Sequence, residues 1–151
     1  MPLIHVSETK LIPAAPGRVY AMIADYKVAH AQILPRRYFS NLEIEQGGVG
    51  AGTIIRFQMH SFGSVQTLRA EISEPIPGEL LVETIAATGA KTSFRVLPES
   101  GGQASRVTIT TDWETKGLVG WIQSLLVPRF LRKVYAEELD NLASVVSAAG
   151  A

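Results

Sequence analysis

Glu138 is the acidic residue whose position most invites chemistry. Turning the last apolar stretch at about 100° per residue places it inside the stripe formed by Val127, Leu131, Val134, Leu142 and Val145, while its neighbour Glu137 points away. A carboxyl on such an inner face has its pKa raised by desolvation and can act as a general acid, or it hydrogen-bonds a ligand. The competing expectation is that the helix end lies beyond any interior space, leaving Glu138 solvated or paired with a basic residue. Tyr135 and Tyr20 are similar cases, since a tyrosine at a pocket edge supplies apolar area and one orienting hydroxyl, and either serves equally well as core. His60 alternates with Arg56 and Gln58 on the polar side of a strand, which makes it a surface histidine beside the turn at Ser61 to Ser64, where a cavity mouth would lie. Glu138, Tyr135 and His60 are thus the candidate catalytic residues.

Other chemistries find less support. The chain has no cysteine, which removes disulfides, thiolate nucleophiles and cysteine-ligated metals. His5, His30 and His60 lie far apart with no metal-ligand spacing, so neither a metal nor a cofactor is expected. The glycine-rich run Gly47 to Gly52 opens a strand, whereas a dinucleotide fingerprint must open a helix, so it reads as a hairpin turn. No Gly-x-Ser-x-Gly elbow occurs, and Asp25, Asp112 and Asp140 offer no evident carboxylate pair. Arg36-Arg37-Tyr38-Phe39 is the one compact basic and aromatic cluster; it suits an anionic ligand head, and two arginines are too few for a nucleic acid. Arg129, Arg132 and Lys133 lie opposite the apolar stripe, on a solvated face.

The elements that must position these groups follow from periodicity. Leu3 to Ile12 alternates as a first strand. Pro16 suits a first helical turn, and Val19, Tyr20, Met22, Ile23 and Tyr26 recur at helical spacing behind it. Lys27 to Leu34 gives a second short helix that stops before Pro35. From Tyr38 the period becomes two, and turn residues every eight to twelve positions or so divide six further strands of an antiparallel meander. Ile55, Phe57 and Met59, and later Val107, Ile109, Thr111 and Trp113, mark its dry face. Leu118 to about Val146 reads as helix, with a kink or fresh start at Pro128 and a frayed tail from Ala148 to Ala151.

The fold class is therefore α+β: a curved seven-stranded antiparallel sheet around a long C-terminal helix, with two short helices between strands 1 and 2. The 151 residues suit one domain. Fourteen basic and fourteen acidic residues cancel, so no long-range field attracts a phosphate backbone, and no nucleic-acid partner is expected. The start does not read as a signal peptide and no window approaches a transmembrane segment, so a cytoplasmic protein is expected, monomer or homodimer.

The stretches from Ile12 to Asp25, Gly48 to Thr53, Ala70 to Pro75 and Ser105 to Ile109, in this order and spacing, resemble the START-like (SRPBCC) superfamily of helix-grip proteins, in its polyketide cyclase/dehydrase-like branch. The resemblance runs from about Ser7 to Val146, and residues 1–151 are expected to form one ligand-binding domain. It implies an apolar cavity between sheet and helix, in a group whose members include carriers of lipids, sterols, hormones and quinones and enzymes of polyketide substrates. The preferred expectation is a carrier of a small hydrophobic or amphipathic ligand held by Ile55, Phe57, Met59, Phe94, Ile109, Thr111, Trp113, Leu131, Val134 and Glu138. The alternative is a metal-free cyclase, dehydratase or lyase, favoured if two or more titratable side chains converge on one ligand position. A third is a protein-interaction or chaperone-assisting domain with a filled interior and an exposed apolar patch, for which Leu118, Val119, Trp121 and Ile122 are candidates.

Overall fold

The computed structural model describes residues 3–115 and 117–150, and the side chains of all these except residues 118–124 and 150. Strand β1 (Leu3–Ile12) is followed by α1 (Pro16–Ala24) and α2 (Ala29–Ile33). The meander then runs through β2 (Phe39–Gln46), β3 (Ile54–Ser61), β4 (Ser64–Ile76), β5 (Leu80–Ile85), β6 (Ala90–Glu99) and β7 (Ala104–Glu114). Helix α3 (Gly117–Gly150) closes the chain. The seven strands form one sheet in the order β1-β7-β6-β5-β4-β3-β2, with every neighbouring pair antiparallel. This is the curved-sheet, long-helix α+β architecture that the alternation and turn spacing predict.

Alternation decides which side chains reach the interior. Ile4, Val6 and Ile12 of β1 are buried while Leu3, His5, Ser7, Thr9 and Leu11 face out. The same period buries Val107, Ile109 and Thr111 of β7 and Phe94 and Val96 of β6. Across this dry face lies the stripe of α3, where Leu131, Val134, Tyr135, Glu138, Leu139, Leu142 and Val146 are buried at helical spacing. Val145 is only half-buried and Val146 takes the inner position at the end of the stripe. Arg18 of α1 donates to the Val146 carbonyl at 2.8 Å, Asn141 donates to the Ile33 carbonyl at 3.0 Å, and Lys10 of β1 lies 3.2 Å from Asp140. Three elements thereby fix the part of α3 that carries Glu138.

Two expected boundaries shift. α3 is one continuous helix with Pro128 inside it, so no fresh start occurs there, and it continues past Val146 to Gly150. α2 is shorter than Lys27–Leu34 because the Asp25 carboxylate accepts from the amides of Lys27, Val28 and Ala29 at 3.1, 3.3 and 3.4 Å, making that stretch a turn that caps the helix. The linker residue Lys116 and the side chains of Leu118, Val119, Trp121 and Ile122 lie outside what is described.

The glycine-rich loop clasps the α1–α2 junction. Tyr26 donates its amide to the Gly48 carbonyl at 2.9 Å, the Gly50 amide donates to Ala24 at 3.0 Å, and Asp25 and Val49 form an isolated bridge. At Gly50 φ is +65° and an added Cβ would meet the Glu74 carboxylate, so this close approach requires glycine. The loop holds no helix N-terminus and serves as a turn that anchors the two short helices against the sheet.

Candidate functional site

Between sheet and helix lies a cavity of about 70 Å³. Its apolar wall is Leu34, Phe39, Ile55, Phe57, Met59, Leu68, Ile85 and Phe94, and its polar end is His30, Glu83, Thr92, Tyr135 and Glu138. The wall residues on the sheet come from β2 to β6, with Ile55, Phe57 and Met59 following the alternation of β3. Glu83 occupies the same face as Leu81 and Ile85, and Thr92 the same face as Phe94, so each sets a polar atom into an otherwise apolar row.

His30 is the best-defined member. It is 1% exposed, stacks on Tyr26 with centroids 4.2 Å apart, and meets the edge of Phe94 at 5.5 Å. Its Nδ1 lies 2.7 Å from the Ile23 carbonyl. A carbonyl oxygen only accepts, so Nδ1 carries the proton and Nε2 presents its lone pair to the interior. Burial depresses the imidazole pKa and outweighs the opposing effect of Glu83, so the ring is neutral at ordinary pH. Its separations from Glu83 (3.6 Å) and Glu138 (3.9 Å) are therefore not ion pairs in this state, and both are too long for hydrogen bonds.

Glu138 is 2% exposed, and its Oε1 has no hydrogen-bond partner. Burial pushes its carboxyl well above the usual carboxylate range, and the negative charge of Glu83 adds to the effect. Glu138 thus holds a proton where ordinary carboxyls have lost theirs. Glu83 accepts a 2.6 Å hydrogen bond from the Tyr26 hydroxyl, whose own pKa is raised first by burial and then by that carboxylate. On the other side the Tyr135 hydroxyl lies 2.5 Å from Thr111 Oγ1, which lies 2.7 Å from Thr92 Oγ1, so three hydroxyls form a chain ending at the cavity. Burial raises the Tyr135 pKa, keeping it a neutral hydrogen-bonding group.

This arrangement can hold one oxygen between a proton donor and an acceptor. Glu138 Oε1 and His30 Nε2 stand 3.9 Å apart, and a ligand oxygen can lie within hydrogen-bond distance of both. A protonated carboxyl and a neutral imidazole on one position are the two halves of acid–base catalysis.

Of the expected ligand-binding residues, Ile55, Phe57, Met59, Phe94 and Glu138 line the cavity. Ile109, Thr111, Trp113, Leu131 and Val134 lie on the dry face or the α3 stripe outside that lining, packed in or against the core, with Thr111 acting through Tyr135. Of the catalytic candidates, Glu138 and Tyr135 reach the cavity. His60 does not; its Nε2 lies 2.7 Å from Ser40 Oγ, on the face it shares with Gln58. Tyr20 is core, donating to Glu74 at 2.6 Å. His30, Glu83 and Thr92 were not singled out by the sequence. The signals existed: Tyr26, His30 and Ile33 recur at helical spacing, and Glu83 and Thr92 fall in apolar alternations.

Comparison with known proteins gives a consistent picture. The family described as polyketide cyclase/dehydrase and lipid transport matches residues 4–147. No curated protein matches the chain. Among solved structures, the KanY protein in solution shares 28% identity over 97% of this chain and 99% of its own, with a TM-score of 0.83. The ZhuI aromatase/cyclase of a Streptomyces species shares 19% over 99% and 94%, with a TM-score of 0.67. A point mutant of norcoclaurine synthase from Thalictrum flavum, in complex with a transition-state analogue, shares 16% over 99% and 98%, with a TM-score of 0.77. The last two likenesses concern the fold alone.

Proposed function

Because the chain belongs to the polyketide cyclase/dehydrase and lipid transport family, we propose that its cavity binds an amphipathic carbonyl compound and moves a proton on it without a metal, as a cyclase or dehydratase requires. One observation carries this reading: Glu138 Oε1, buried with no hydrogen-bond partner, and the lone pair of His30 Nε2 flank a single position at the polar end of the cavity. A cavity used only for carriage gains little from such a cluster, because each buried polar group left unpaired costs about 1–3 kcal/mol. Binding by desolvation is common to both readings. Removing roughly 300 Å² of apolar ligand surface from water contributes about 7 kcal/mol before association costs.

The step balances as an enolisation. His30 Nε2 takes the proton from the carbon beside the carbonyl, the C–H pair becomes the new C=C bond, and the carbonyl oxygen takes the proton of Glu138 as its π pair moves onto it. The imidazolium formed lies 3.6 Å from Glu83, which stabilises it. The enol carbon is then the nucleophile for ring closure; alternatively the enol O–H returns its proton to Glu138, its pair re-forms the carbonyl, the C=C pair moves to the adjacent bond and the β-hydroxyl leaves as water with the proton held by His30.

The test uses 4-phenylbutan-2-one in D₂O, with deuterium uptake beside the carbonyl followed by NMR. The protein should accelerate uptake, and Glu138→Gln and His30→Gln should each reduce the acceleration by roughly 100-fold or more. The rate should fall as pH rises through the elevated Glu138 pKa and as pH drops through the depressed His30 pKa, giving a bell. Uptake at the background rate, or acceleration that both variants retain, would remove the enzymatic reading.

A further inference from the structure

Outside the cavity lies a second space, a groove of about 280 Å³ lined by Ala31, Leu34, Arg36, Phe39, Ser40, Asn41, Leu42 and Phe57. Leu34, Phe39 and Phe57 line both spaces, so these side chains are the partition between them. The Phe39 and Phe57 rings lie 5.8 Å apart, and Leu34 and Phe39 are only half-buried. The groove exists because β2 is bulged. Between the pairs Ser40↔Gln58 and Glu43↔Arg56, β2 advances three residues while β3 advances two, and Asn41 takes a φ of +52°.

The two spaces differ in charge. The inner end holds the carboxylate of Glu83 beside the neutral Glu138, and Arg36 is the one cationic side chain lining either space at neutral pH, among the described residues. Arg36 is exposed and makes no ion pair or hydrogen bond with the described residues, whereas Arg37 lies 3.5 Å from Glu137 and over the ring of Tyr38. The neighbouring polar groups are already engaged, Asn41 donating to Gln58 at 2.7 Å and Ser40 lying 2.7 Å from His60.

We propose that the ligand is an amphipathic anion, a keto acid whose carbonyl end lies at Glu138 and His30, whose apolar body passes the Leu34–Phe39–Phe57 partition, and whose carboxylate meets Arg36 in the groove. This rests on the cavity reading above and adds the chemical class and direction of the ligand. A carboxylate placed inward would be desolvated and would face the negative charge of Glu83, while one placed outward stays near water and gains a guanidinium. Exposure keeps that gain small, so Arg36 orients the ligand and the apolar body supplies most of the affinity.

The probes are 6-oxoheptanoate and 8-oxononanoate with the methyl ester of each, titrated calorimetrically at low and at raised salt. At least one acid should bind about fivefold tighter than its ester at low salt, and the preference should shrink at raised salt. Arg36→Gln should abolish it without changing ester binding, Arg36→Lys should restore part of it, and Arg37→Gln should leave it intact. Equal binding of acid and ester, or a preference that survives Arg36→Gln, overturns the anionic subsite. Deuterium uptake into the neutral esters judges the cavity chemistry separately, so the two ideas fail independently. Absence of binding by every acid and ester overturns the subsite as well.

Discussion

Glu138 and His30 depart from their ordinary acidities in opposite directions, and folding must reflect both. Unfolded, Glu138 ionises near pH 4.3, as glutamates ordinarily do. Folded, it keeps its proton to higher pH. Through that window the unfolded chain binds fewer protons than the folded one, so this group makes stability fall as pH rises. His30 acts oppositely: its folded pKa is depressed, so below about pH 6.5 the unfolded chain binds more protons and stability falls as pH drops. The difference between wild type and Glu138→Gln isolates the first effect. We expect the two melting temperatures to agree near pH 4.3 and the variant to become progressively more stable toward pH 8, at roughly 3 °C for each kcal/mol. Thermal melts across that range check this, and a gap independent of pH would count against a buried, protonated Glu138. Its inward placement was legible from the α3 stripe alone, because helical spacing is a strong signal. The partnership with His30 was not legible, since α2 and α3 are far apart in sequence and only packing brings them together.

At the scale of elements, the site depends on a helix too short to persist by itself. α2 has five residues, well under the length at which an isolated helix is stable in water. Asp25 compensates by accepting from the amides of Lys27 and Val28 ahead of the helix and of Ala29 at its first position, and the Asp25 carbonyl accepts from the His30 amide at 2.8 Å. Asp25→Ala should therefore lower stability by about 1 kcal/mol and loosen the His30 ring. The ring resonances of His30 are the informative readout, because a merely distant loss of stability would leave them in place. We expect them to broaden or shift in the variant, and unchanged resonances would show that the Gly48–Gly50 clasp holds α2 without the cap. Sequence spacing predicted α2 as longer, from Lys27 to Leu34, because Val28, Ala31 and Ile33 fit an apolar helical pattern. The competing local bond from Asp25 decided the boundary, as side-chain acceptors before short helices commonly do. The bulge in β2 left no comparable trace, since Asn41 is an unremarkable residue in a polar strand.

Across the whole molecule, the turn glycines and alternations were enough to give the architecture, and the fold persists in solved structures at 16% and 19% identity. What they could not give is the volume left inside, which depends on every side chain of the lining at once. At about 70 Å³ the cavity lies far below the 300–1,000 Å³ usual for organic ligands. Joined to the groove of about 280 Å³, it reaches the lower end of that range. A ligand larger than a few atoms must therefore displace the partition, in which Leu34 and Phe39 are half-buried and Leu34 is the aliphatic member. Trimming it should lower the barrier to binding. With 1-anilinonaphthalene-8-sulfonate in a stopped-flow instrument, Leu34→Ala should raise the association rate several-fold over wild type, at a stability loss of roughly 1–2 kcal/mol. Leu68→Ala is the necessary comparison, because Leu68 lines the inner cavity and not the groove. If the partition governs access, enlarging the cavity behind it leaves the association rate near that of wild type. Equal acceleration by both substitutions would mean that interior volume limits binding, and the groove would lose its role as the way in.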